Sequence, residues 1–568
     1  MKNIIVYCFL ITGLIIASCS KPLDYTPAGV LSSSDLTSPT AIDGLVTAAY
    51  AAIGNGEMIG PIYSNWVYGS VRSDDAYKGG GGTGDVGDVD AMEHYVFTTP
   101  VIDWFVTRTW KNLFKSISRC NVALRAVATL TDANFPQKTT RIAELRFLRG
   151  HSYFLMKNLY KNVPIFDETA TGDDILKVSN VALKNDDMWN KIAADFQFAI
   201  DNLPATQPDL ARANKLNATA YLAKLRLYQA YEQDVNHKVT NINQTRLQDV
   251  VNLTQAVISS GKYSLSKDFA ENFIPETENG PESIFAIQFT INDGTTAGRL
   301  SYENGLNYPH GAPQYGCCGF HASSQNLVNA FTTDANGLPN FTTFNDNIAD
   351  LTKATVDPRI DHTVGIDGHV YKYDNTKLFS NSWVRDPGTY GNFHTMKDQQ
   401  LATSSSYYKL GPFMGTAKNT DILRYDDIIL MQAEAYIELG QQDKALPLIN
   451  QIRNRAAAST GRLKKLDGTF ASTYNIKPYS ATGWTQAYAR QALQWERRME
   501  FATEGARFFD LVRWGIAEPT LNAYLAKEKV RRTFLNTAKF TAGRDEYLPI
   551  PQSEITFTNG LYTQNPGF

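Results

Sequence analysis

Cysteine is scarce in this chain, with five residues in 568, and that arithmetic excludes a disulfide-stapled scaffold. Cys8 and Cys19 sit in the N-terminal segment, which leaves Cys120, Cys317 and Cys318 for a folded body. Cys317 and Cys318 are adjacent: they either join as a vicinal disulfide in an oxidising compartment or stand as two small buried thiols. Charge of one sign is lacking as well, with a formal net charge of -3 and 20% charged residues. No field exists to draw nucleic acid, so polyanion binding is excluded as the main function. The sequence holds no HExxH, GxSxG or CxxC, the spacings that place a zinc pair, a strained serine nucleophile or a redox pair. His151 and Ser152 fall within one helical run, where packing accounts for them. No cofactor and no metal is expected. Asp85, Asp88 and Asp90 carry oxygen ligands but miss the spacing of a calcium loop, and they read as a solvated acidic turn.

What is present begins with Lys2, an apolar stretch over residues 4–17, and the sequence Ile16-Ala17-Ser18-Cys19. The stretch falls short of the ~20 residues that a membrane-spanning helix needs and has the form of a cleavable export signal. The small residues before Cys19 resemble the lipobox of bacterial lipoproteins, which implies removal of residues 1–18 and acylation of Cys19. Two acyl chains, at roughly 0.8 kcal/mol per buried methylene, anchor a soluble body to a membrane surface. Residues 19–40 are polar and contain Pro and Ser, the composition of a tether. Aromatic residues make up 12% of the chain, with 29 Tyr, 29 Phe and 8 Trp, which suits stacking on uncharged rings such as sugars.

Over residues 41–235 the periodicity predicts long amphipathic helices at 117–130, 139–160, 186–203 and 214–232. In the second of these, Leu145, Leu148, Ser152, Leu155 and Leu159 recur at helical spacing, with Arg146, Arg149 and Lys157 turned away. Asn162-Val163-Pro164 ends it. Residues 236–568 form a second region. Its stretch 263–415 is rich in Gly, Pro, Asn, Thr and aromatics and reads as loops, with a strand over 283–290 and a short helix over 323–331. Helices return within 421–515, at 421–439, 442–457, 485–501 and 506–514. Leu430 through Gly440, then Lys444 through Ile449, have the small-residue spacing and mid-turn glycine of a tetratricopeptide hairpin. The predicted fold class is therefore mainly α, a stack of tetratricopeptide-like helix pairs with a loop-rich, minor-β face.

Several separated segments together resemble the SusD/RagB family, outer-membrane glycan-binding lipoproteins of Bacteroidetes. Near the front are Ala143-Glu144-Leu145-Arg146-Phe147-Leu148-Arg149-Gly150 with Tyr153-Phe154, and then the run from Tyr160 to Pro164. In the middle lie Ser260-Gly261-Lys262-Tyr263, Glu282-Ser283-Ile284-Phe285 and Ser324-Gln325-Asn326-Leu327-Val328-Asn329-Ala330-Phe331. Towards the end come Arg424-Tyr425-Asp426-Asp427, the run from Trp495 to Phe501, then Gly505, Arg507, Asp510 and Arg513-Trp514-Gly515, Leu548-Pro549-Ile550-Pro551 and Asn565-Pro566-Gly567. The resemblance implies a right-handed stack of helix pairs, an oligosaccharide or polysaccharide ligand held on an irregular face, and a SusC-like TonB-dependent outer-membrane transporter as partner. It also implies an outer-membrane location, lipid-anchored and facing the cell exterior. Two departures stand out. Asp426 occupies a position where many relatives carry alanine, and Ser20-Lys21-Pro22-Leu23-Asp24 supplies one acid where relatives often carry an acidic run.

Glu496, Arg497, Arg498, Glu500, Glu504, Arg507, Asp510 and Arg513 have the appearance of an acid–base set. Arg507 with Asp510, and Asp510 with Arg513, are three apart on a helix and read instead as ion-paired glue between helices. Ser73-Asp74-Asp75-Ala76-Tyr77-Lys78 runs into four glycines without the strand-to-helix context of a phosphate loop. Carboxylates beside an aromatic in such a loop suit sugar hydroxyls and a flat ring face, which nominates Asp74 and Asp75. Trp104 precedes a helix and faces either rim or core. Tyr315, Cys317, Cys318 and Phe320 sit in one Gly/Pro loop that also holds Tyr308 and His310, while Trp383, Arg385 and Tyr390 sit in another, where a guanidinium can fork onto hydroxyls. These ten residues form the expected ligand-binding set. The expected function is non-catalytic capture of glycan for import, with a lipid-anchored glycan hydrolase and a protein-interaction scaffold as the alternatives.

Overall fold

The computed structural model describes residues 38–54, 66–98, 103–170, 172–291, 293–294 and 299–568. The expected signal (1–18), the acylated Cys19 and the tether as far as residue 37 lie outside the described residues. Ten α-helices of 14 or more residues occur among those described: α1 (Pro39–Ile53), α2 (Asp103–Ala128), α3 (Lys138–Tyr160), α4 (Asn185–Asn202) and α5 (Lys215–Ala230). They continue as α6 (Gln244–Ser259), α7 (Tyr425–Glu438), α8 (Gln442–Ala458), α9 (Gln486–Phe501) and α10 (Ala517–Arg531). Each of α1 to α8 packs on the next helix in sequence, so α1 to α9 form one continuous stack. The fold is mainly α and tetratricopeptide-like, as the sequence predicts.

Local chemistry sets the helix ends. Asn214 caps α5 by accepting from the backbone N of Leu216 and Asn217, while the Asn217 side chain returns a bond to the Asn214 backbone. Thr485 caps α9 through Tyr488 N. Each such cap satisfies amides that the helix itself leaves open, worth about 1 kcal/mol. One core cluster runs from Ile42 to Tyr562. The amphipathic reading of α3 needs correction, because the helix is central and buried on nearly every side. Arg149 and Lys157, expected to face water, are 4% and 2% exposed. Arg149 pairs with Asp195 and Glu168, and Lys157 donates to Asn185 Oδ1 at 2.6 Å.

The loop-rich region is an insertion between two packed layers, since α6 and α7 touch although 165 residues separate their ends. Three small sheets frame it. β1 (Ala76–Gly79) runs antiparallel to β3 (Phe320–Ser323). β2 (Ser283–Ile287) pairs with β6 (Thr420–Arg424), which ties the insertion's entry to its exit. β4 (Tyr407–Leu410) and β5 (Phe413–Thr416) make a hairpin.

Candidate functional site

The β1–β3 ladder sets Ala76 opposite Ser323 and Gly79 opposite Phe320, which lays the glycine run after β1 along the loop before β3. Gly80 N donates to Gly319 O at 2.8 Å, and Gly311 N donates to Trp383 O at 2.9 Å. Arg385 closes the arrangement: its Nη1 donates to Asp85 Oδ2 at 2.8 Å and to Cys318 O at 2.9 Å. Residues 79–85, 308–320 and 381–390 therefore meet on one face. Two glycines permit the approach. A Cβ at Gly311 would lie 2.1 Å from Ser382 O, and one at Gly319, whose φ is +76°, would lie 2.8 Å from Arg385 Cβ. Cys317 and Cys318 are joined as a disulfide across a cis peptide bond.

Of the nominated residues, Arg385 is exposed and Trp383 and Cys317 are half-buried. Trp383 rests edge-on against Tyr371 and Phe379, with ring centroids 5.3 and 5.4 Å away. Cys318, Tyr315, Phe320 and Tyr390 are buried beneath them. Tyr315 donates to Gln400 O at 2.8 Å, Phe320 packs edge-on to Trp66, and Tyr390 packs against Phe534. These three rings underpin the face and are not its surface, because each packs into an aromatic layer below the loops. Trp104 lies in the first turn of α2, and its side chain is outside the described residues.

Asp74 and Asp75 require the largest correction. Expected in an exposed loop, they are 3% and 1% exposed. Asp74 receives Arg507 Nε at 2.8 Å and Arg498 Nη1 at 3.2 Å, and Asp75 receives Arg498 Nε at 3.0 Å. Burial pushes the Asp74 carboxyl up, but Arg498 and Arg507 outweigh it and hold the group at about 2. Burial, reinforced by neighbouring Asp74, raises Asp75. Both carboxylates brace the N-terminal loop against the α9 region.

Residues absent from the nominated set also shape the face. Asp85 accepts from Gly81 N at 2.9 Å, His310 is exposed beside Gly311, and Lys409 on β4 donates to Tyr315 O at 2.6 Å. Burial, then Arg385, lowers the His310 imidazole below its ordinary value. The signal for Asp85 and Lys409 is weak in sequence, since a lone acid or lysine in a loop predicts nothing about its partner.

Elsewhere, Glu282, Asp426 and Glu500 bring carboxylate oxygens within 4.8 Å of one another. Arginines already face them: Arg455 lies between Glu282 and Glu500, Arg359 meets Glu500, and Arg424 meets Asp426. Arg497 and Arg513 pair with Asp510, as helix-to-helix glue requires, whereas Arg507 reaches Asp74.

Two family models match the chain. The SusD family model covers residues 281–568, and a model described as starch-binding associating with outer membrane covers 32–227. The chain belongs to the SusD family. A SusD-like protein of Formosa agariphila is 24% identical over 542 residues, spanning 91% of this chain and 90% of that protein. A laminarin-binding SusD-like protein shares the fold with a TM-score of 0.68 at 21% identity, covering 94% of this chain and all of that one. Surface glycan-binding protein A of Bacteroides thetaiotaomicron, solved with laminarihexaose, gives a TM-score of 0.63 at 19% identity over 93% of this chain and 100% of its own.

Proposed function

We propose that this SusD-family chain is a non-catalytic, lipid-anchored outer-membrane protein. It captures uncharged oligosaccharide on the face around Arg385 and passes it to a SusC-like TonB-dependent transporter. The observation that carries the reading is the meeting of three distant loops, with Trp383, Cys317 and Arg385 reaching solvent together. Trp383 offers a ring edge and face for stacking, Cys317 an apolar surface, and Arg385 a guanidinium for hydroxyl oxygens. The electrostatics favour a neutral ligand. Arg385 is matched by Asp85, Lys409 is turned onto a backbone carbonyl, and burial and Arg385 disfavour the His310 charge.

The test is calorimetric titration of the pure protein against a glycan panel, with new reducing ends assayed in parallel. Laminarin belongs in the panel because two of the structural relatives bind it or its hexaose. Binding of a neutral glycan without cleavage supports the reading, and cleavage overturns it in favour of a hydrolase. Arg385→Ala should weaken binding at least tenfold, about 1.4 kcal/mol. Trp383→Ala should weaken binding by a similar factor and also cost about 1–2 kcal/mol of stability, because half of its ring is packed on Tyr371 and Phe379. Mass spectrometry of the mature N-terminus should find acylated Cys19, and an unmodified terminus would remove the anchor.

A further inference from the structure

Lys78, the third residue of β1, lies directly behind this face and is fully buried. Its ammonium donates to two backbone carbonyls of the glycine loop, Gly82 O at 2.8 Å and Asp85 O at 2.5 Å. Its position is fixed from both sides, with Nζ 5.6 Å from the Phe320 ring centroid and 5.5 Å from that of Tyr390. The short helix Gly87–Glu93 carries Asp90 and Glu93, which act on it through charge and not through a bond to the ammonium. Glu93 Oε2 accepts Lys78 N at 3.2 Å, while Glu93 Oε1 and Asp90 Oδ1 are buried without a hydrogen-bond partner. Burial lowers the Lys78 ammonium below its ordinary value, opposed only in part by Glu93, Asp90 and Asp85.

Two backbone carbonyls of one glycine loop thus converge on a single buried ammonium. We propose that Lys78 is the positioning residue of the binding face, its ammonium pinning the loop that carries Asp85. The chain of contacts runs from Lys78 Nζ to the Asp85 carbonyl, from the Asp85 carboxylate to Gly81 N and Arg385, and from Arg385 to the Cys318 carbonyl. Without the ammonium, the carbonyls of Gly82 and Asp85 lose their buried donor, and the loop that orients Arg385 has no fixed centre. A glycine run lacks the intrinsic stiffness to keep that shape alone.

The binding arm of the test rests on the functional reading above; the exchange arm does not. Lys78→Met keeps the stem over Phe320 and Tyr390 and removes the donor. Hydrogen exchange at Gly81 and Asp85, whose amides are bonded within the loop, should quicken at least tenfold in this variant. Exchange along the β1–β3 ladder should hold. Affinity for the glycan that the parent binds should fall at least tenfold, as in Arg385→Ala. Treating the parent with EDTA should change neither exchange nor affinity, and this arm needs no variant to fold. Unchanged exchange at Gly81 and Asp85 in Lys78→Met overturns the proposal, as does faster exchange in the EDTA-treated parent. If the parent binds no glycan while Lys78→Met still frees the loop, the reading of the face fails and the role of Lys78 in shaping it stands.

Discussion

Glu500→Ala should destabilise the protein by about 3–5 kcal/mol, the cost of removing a buried carboxylate that two buried guanidiniums share. Glu500 is fully buried at the end of α9 and receives Arg359 Nη1 at 2.9 Å, with Arg455 on its other oxygen. Burial alone would raise its carboxyl, yet Arg455, Arg359 and Arg424 outweigh burial and hold it at about 2. Arg359 goes on to Glu496 at 2.7 Å and Asp357 at 2.6 Å, and Arg455 to Glu282 at 2.8 Å. One deletion therefore unbalances two arginines that join α9, α8 and the entry to β2. The measurement is urea unfolding of the variant against the parent, with Glu518→Ala as control. Glu518 lies exposed at the start of α10, where a substitution shifts stability within ±0.5 kcal/mol. A cost for Glu500→Ala below about 1 kcal/mol would show that the network does not hold these helices together.

The same network shows what sequence can and cannot reveal. The pair Asp510 and Arg513 is legible because a helix fixes three-residue spacing on one face, and the structure has it at 2.8 Å. Arg507 obeys the same spacing rule toward Asp510 but bonds Asp74 instead, 433 residues earlier. Nothing local encodes that choice. Helices with a recurring apolar period or a good cap, such as α3 and α5 respectively, are visible in the sequence. Helices α1, α6 and α10 are not. In α6 the β-branched Val250, Val251, Val257 and Ile258 weaken the helical signal, and α10 carries Pro519 in its first turn and a charged run of Lys527, Glu528 and Lys529 near its end. Tertiary packing overrides propensity in both.

At the binding face, the loops were legible and the orientation of their side chains was not. Glycine and proline mark 308–320 and 381–390 as irregular, and aromatic residues mark them as surfaces for stacking. Which ring points outward depends on the layer beneath. Tyr315 and Tyr390 turn inward because Tyr371, Tyr407 and Phe534 wait there, leaving Trp383 half in the open. A carboxylate in a glycine-rich loop carries the same ambiguity, and Asp74 decides it by experiment.

Asp74→Ala should cost about 3–5 kcal/mol of stability while leaving the glycan affinity of the folded fraction unchanged. Its carboxylate pairs with Arg507 and with Arg498, so removal takes the paired carboxylate from Arg507 and leaves the buried Arg498 with Asp75. A sugar-contacting carboxylate would behave in the opposite way, losing affinity with little change in unfolding. The pH dependence separates the two roles again. The folded Asp74 carboxyl sits at about 2 against an ordinary value of 3.8, so the unfolded chain binds a proton there before the folded one does. Its contribution is therefore complete above about pH 5, shrinks as pH falls through 3.8, and is lost near pH 2. The stability gap between parent and Asp74→Ala should narrow over that window. A gap that stays constant from pH 5 to 2.5 would mean that the pairing with Arg498 and Arg507 is not what Asp74 supplies, and would return it to the candidates for ligand contact.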